Sequence, residues 1–150
     1  ANFYKINFSD FQSLHTKNKM KVYGISKRIM MANAITLKNS LENSSIDVNI
    51  THPGICATEL FTKSHSKLFN IFVYPLMKIV FHSPKKAALN IIKAIFVETK
   101  ENEWIVPRGL FGAWGYPKVL RFKKIIYDAS VIEQVSDITA DMISRHCEKK

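Results

Sequence analysis

Apolar side chains recur at helical spacing from Val22 to Leu41 and then alternate with polar ones from Ile46 to His52. This switch of period predicts a long helix followed by a strand, with Glu42-Asn43-Ser44-Ser45 closing the helix. Residues 1 to about 20 read as a polar arm leading into that helix. Further on, Ser83 suits an N-cap and Pro84 a first helical position, starting a helix that reaches about Glu98. Trp104-Ile105-Val106 reads as a second strand, Gly109 to Pro117 is rich in turn residues, and amphipathic helical segments are expected at Lys118–Ala129 and Ile132–Arg145. The expected class is α/β, helix-rich, with two strands at Asp47–Thr51 and Trp104–Val106 lying parallel and joined by a long helical crossover. Two parallel strands leave both faces and the outer edge without partners, which predicts exposed apolar surface or self-association through the sheet edge. No internal repeat or low-complexity linker divides the chain.

The predicted first helix carries Tyr23-Gly24-Ile25-Ser26-Lys27 near its start. A Tyr and a Lys four residues apart sit one above the other on a helix, so the ammonium can favour ionisation of the phenol. An isolated tyrosine titrates near pH ~10, too high for an efficient base at neutrality, and a fixed cation reduces that mismatch. Spacing alone is weak: with 5 Tyr and 18 Lys in 150 residues, chance supplies about 0.6 such pairs. The chain has a second, Tyr74 and Lys78, but Pro75 biases Tyr74 away from helical geometry and no strand follows it. Tyr23 has the better sequel, a helix, a strand and then His52-Pro53-Gly54. The competing bland reading is a Tyr/Lys pair on the solvent face of a helix.

In that order the motifs resemble the short-chain dehydrogenase/reductases, in particular the branch with retinol dehydrogenases and light-dependent protochlorophyllide reductases. Lys5 to Phe11 is similar to the Asp- and Asn-containing segment before the catalytic tyrosine, and Tyr23 to Lys27 to the catalytic helix. His52 to Leu60 is similar to the loop beneath the nicotinamide, Ser83 to Ala88 to the start of the last large helix, and Trp104 to Gly109 with Trp114 to Lys118 to the last strand and tail. The resemblance spans nearly the whole chain and implies the C-terminal portion of a Rossmann-like, doubly wound parallel sheet. It implies an NAD(P)-dependent oxidoreductase interconverting an alcohol and a carbonyl, with Tyr23 as general acid/base. Lys27 would lower the Tyr23 pKa and hold the nicotinamide ribose. Pro53, Gly54 and Ile55 would let backbone approach the ring and its carboxamide, and Thr58 would offer a hydroxyl. Ala57 stands where the family often has a basic residue, so a phosphate contact there does not follow.

Other family features are missing. None of the 5 glycines, Gly24, Gly54, Gly109, Gly112 and Gly115, forms the cluster that brings a pyrophosphate onto a helix N-terminus. The catalytic serine and structural asparagine would lie before Ala1; Ser9 and Ser13 match a different branch and are not assigned. The expectation is a single partial domain, 1–150, lacking the N-terminal dinucleotide-binding half and inactive by itself. Residues that choose NAD or NADP would lie in that half. A non-catalytic half-domain acting as an interaction module is the alternative.

A net charge of +10 raises nucleic acid or an anionic membrane as partners. The 18 lysines are scattered, with neither an Arg cluster nor an aromatic platform, which argues against nucleic acid. Leu68 to Phe81 is the most apolar stretch, but its 14 residues are broken by Asn70, Pro75 and Lys78, short of the roughly 20 that a membrane span requires. Three readings stand for it: a substrate lid in which Phe69, Phe72 and Phe81 select a hydrophobic alcohol or carbonyl, a helix pair on the core, and, less favoured, an element docking on a membrane surface. Cys56 and Cys147 lack Cys or His neighbours at metal spacing, so no metal site is expected and a reduced, cytoplasmic setting fits. Of the five histidines only His52 is placed near the cofactor, where strand-end packing is the expected role.

Overall fold

The computed structural model describes residues 4–56, 71, 83–122 and 128–148. Contacts divide the chain into two compact units, one of Ala1–Val48 with Phe122–Lys150 and one of Asn49–Arg121.

In the first unit the polar arm is held by its own side chains. Asn7 caps a 3-10 turn, Phe8–Asp10, and the Asp10 carboxylate accepts the Leu14 N–H at 2.8 Å and the Thr16 hydroxyl at 3.3 Å. Helix α1, Lys19–Ser40, begins three residues before the apolar pattern because the Asn18 side chain accepts the Met20 and Lys21 N–H groups at 3.0 and 3.1 Å. Its buried face is Gly24, Ile25, Arg28, Met31, Ala32 and Ile35, a three- and four-residue rhythm. After α1 closes, Lys38 Nζ donates to the Val48 carbonyl at 2.9 Å. Helix α2, Ala129–Cys147 in this unit, buries Ile132 and Val135 and packs on α1, with Asn33 Nδ2 donating to Thr139 Oγ1 at 3.2 Å. The buried Arg28 guanidinium donates to the Tyr4 carbonyl at 3.1 Å; burial lowers its pKa, and the Asp128 carboxylate opposes that effect.

In the second unit helix α3, Pro84–Phe96, starts as its sequence predicts, with the Ser83 hydroxyl accepting the Lys86 N–H at 3.4 Å. It packs through Ala87 and Asn90 on strands β1, Glu103–Pro107, and β2, Pro117–Arg121. Ile105, Val106 and Pro107 form the centre of this small core. The strands pair antiparallel from Glu103 opposite Arg121 to Pro107 opposite Pro117. Gly109 makes the connecting turn tight enough, since a Cβ there would collide with the Trp114 carbonyl and ring.

β2 corrects the helix expected over Lys118–Ala129. Helical spacing is present there, but the turn returns Tyr116 so that its carbonyl accepts the Arg108 N–H at 2.8 Å. The free edge of β1 then takes the next five residues as a ladder, and Ala129 instead opens α2. The two strands expected to pair in parallel meet only in one bridge, Thr51 to Ile105, in which Ile105 N–H donates to Ile50 and His52 N–H to Ile105, both at 2.9 Å. Among the described residues the fold is mixed α/β, three helices and one two-stranded antiparallel sheet; a doubly wound parallel sheet is not formed by them.

Candidate functional site

Tyr23 and Lys27 are brought together. α1 sends Gly24, Ile25 and Arg28 inward, which turns Tyr23 to the surface at 55% exposure and leaves Lys27 half-buried one turn further on. Lys27 Nζ lies 5.7 Å from the Tyr23 ring centroid, over the aromatic face. Such a pair presents a phenol and an ammonium side by side, one able to exchange a proton and the other to donate to hydroxyl oxygens.

Pro53, Gly54 and Ile55 are also brought together, on the loop that leaves the parallel bridge in the second unit. Gly54 has φ 83°, left-handed geometry that a side chain resists, and the preceding Pro53 supplies the other residue favoured in such a turn. The loop is tied on both sides. His52 N–H is fixed to Ile105 on β1, and Ile55 N–H donates to the Ala113 carbonyl at 2.9 Å. Two residues before the bridge, Asn49 donates to the Ala94 carbonyl at 2.9 Å and accepts from Thr99 N–H and Oγ1 at 3.2 and 2.7 Å, which ties the end of α3 to this segment.

His52 does more than the packing expected of it. Its ring stands 6.2 Å from that of Trp104, tilted by 54°, and its Nδ1 accepts the Gly54 N–H at 2.9 Å. Burial lowers its pKa, favouring the neutral ring. The signal was present in the sequence as an acceptor two residues before the glycine of a turn, the arrangement Asn and Asp use. Asn49 gave no such signal, because its partners lie 45 and 50 residues away.

Cys56 ends the loop as a free thiol whose pKa burial pushes up, and Cys147 is free and exposed on α2. Thr58 and the lid residues Phe69, Phe72 and Phe81 lie outside the described residues. Among the described residues no group of three His, Cys, Asp or Glu could hold a metal, and no helix is long and apolar enough to cross a membrane. Comparison with protein-family models, with curated proteins and with solved structures finds no match to this chain.

Proposed function

We propose that the chain is the catalytic-helix portion of an NAD(P)-dependent oxidoreductase of the short-chain dehydrogenase/reductase type, acting on a small hydrophobic alcohol or carbonyl. The observation that carries this is the Tyr23–Lys27 stack on α1, followed in chain order by a Pro-Gly loop that leaves the Thr51–Ile105 bridge and holds a left-handed glycine. Under this reading the described sheet is one margin of a doubly wound parallel sheet, and the Thr51–Ile105 bridge is its parallel contact. Taken one by one, Lys27 carries an ammonium suited to ribose hydroxyls, and the loop lacks a Cβ at Gly54. They do not supply a phosphate cradle, since no glycine cluster precedes a helix N-terminus.

A bound nicotinamide would accept or supply hydride at the substrate carbon. Tyr23 would take the hydroxyl proton during alcohol oxidation or return it during carbonyl reduction. Lys27 would hold the ribose, while Pro53, Gly54 and Ile55 would present backbone to the ring. Thr58 would offer its hydroxyl to the carboxamide or the pyrophosphate, and Phe69, Phe72 and Phe81 would serve as the lid, as the resemblance implies. Two free cysteines accord with a reducing cytoplasm.

Titration of a longer protein containing this chain with NADH and NADPH, followed by turnover on a panel of apolar alcohols and ketones, tests the proposal. Tyr23→Phe should lower turnover by about 10²–10⁴ while nucleotide binding persists; undiminished turnover would refute the assignment. The second reading, an interaction module without catalysis, is favoured by the outward face of α3, where Ile95 and Phe96 are 72% and 81% exposed. It predicts no nucleotide binding by this chain or by a longer protein containing it.

A further inference from the structure

We propose that His52 is the positioning residue of the Pro53–Gly54 loop, its Nδ1 acting as the acceptor that sets the Gly54 backbone. The inference rests on the proposed function in taking this loop as the surface that meets the nicotinamide. Gly54 sits at φ 83° between two fixed points, the His52 N–H bonded to Ile105 and the Ile55 N–H bonded to Ala113. Those bonds hold the ends of the loop and leave the Gly54 peptide to be oriented by the 2.9 Å contact to His52.

Nδ1 is joined to the backbone through Cγ and Cβ, the same reach as the Oδ1 of asparagine, so the His52–Gly54 contact is an imidazole version of the side-chain turn that asparagine makes with the N–H two residues on. An accepting Nδ1 assigns the hydrogen of the neutral ring to Nε2. A protonated ring would set N–H against N–H and remove the contact. The Trp104 ring limits where the imidazole can turn instead. Burial already favours the neutral form. The titratable groups on the adjoining loop and strand are Cys56, which burial holds toward the neutral thiol, and Glu103, whose Oε2 accepts the Lys100 N–H at 3.0 Å. The loop therefore carries its own proton-sensitive latch, which releases as acid protonates the ring.

The test compares wild type, His52→Asn and His52→Phe by nitrogen-15 NMR on the whole chain. In wild type the Gly54 amide shift should step with ionisation of the His52 ring. His52→Asn should keep the amide protected and abolish the step, because its acceptor does not titrate. His52→Phe keeps a ring beside Trp104 but has no acceptor, and should speed Gly54 exchange by roughly tenfold. Equal Gly54 exchange in wild type and His52→Phe would overturn the proposal. Should that variant not fold, a wild-type Gly54 shift indifferent to the ring's titration would overturn it equally. A parallel NADH titration of a longer protein containing this chain should give His52→Asn near wild-type affinity and His52→Phe a weaker one. Absence of NADH binding in all three would refute the proposed function and the cofactor role of the loop, while the exchange data would still decide whether His52 sets Gly54.

Discussion

Protonating His52 costs the folded chain both a hydrogen bond and the placement of a charge in a half-buried site. Its folded pKa lies below the ordinary 6.5, so as pH falls the unfolded chain takes up the proton first. The stability contributed by the neutral ring is complete above that ordinary value and declines as pH falls from 6.5 toward the lower folded value. Urea midpoints measured across this window should fall with pH in wild type and fall less steeply in His52→Asn. A midpoint that rises on acidification through this window would contradict the assigned sign. The thiols give a second residue-scale expectation. Burial raises the Cys56 pKa and thins its thiolate, whereas Cys147 is exposed. A maleimide should modify Cys147 first, and Cys147→Ser should leave only the slow reaction.

Within elements, stability follows the buried faces. Ile35 is fully buried on the core face of α1, so Ile35→Ala should cost about 2–5 kcal/mol in chemical denaturation, whereas the half-exposed Leu37→Ala should stay within roughly 0.5 kcal/mol. Near-equal costs would mean that the inward face has been assigned to the wrong side of the helix. The helix could be read in advance because α1 repeats its apolar residues through more than five turns, and Ser83-Pro84 announced α3 by cap chemistry alone. The buried face of α1 could not, since Met30 and Leu37 share the apolar pattern and are half exposed while Arg28 is buried. β2 could not be read this way. Pro117 to Arg121 becomes a strand only because the Gly109–Gly115 turn delivers it to β1, and that pairing overrides the helical spacing of its own residues. The same reason shortened the strand expected at Ile46–His52 to a bridge, since alternation marks a capacity to pair and the available partner is Ile105. For the candidate site, the Tyr23–Lys27 stack follows from helical spacing, and the His52–Gly54 contact has a sequence signal in the two-residue offset, whereas the Asn49 contacts to Ala94 and Thr99 have none.

For the whole molecule, the contest is between apolar attraction and like charge. α3 places Ile91, Ile92, Ile95 and Phe96 outward, each about half exposed or more, while Ala87 and Asn90 take the inward face. Burial against a second surface gains roughly 25 cal/mol per Å² of apolar area. Opposing it is a net charge of +10 on every copy, whose repulsion is screened beyond a Debye length of about 10 Å at 0.1 M salt. Self-association should therefore strengthen as salt rises, the reverse of an assembly held by ion pairs. Sedimentation velocity over a concentration series at low and high salt would measure it. The double substitution Ile95→Lys with Phe96→Lys should keep the chain monomeric at both ionic strengths, because it places charge on the apolar face and leaves Ala87 and Asn90 untouched. If instead the double variant associates as wild type does, α3 is not the contact that holds the copies together.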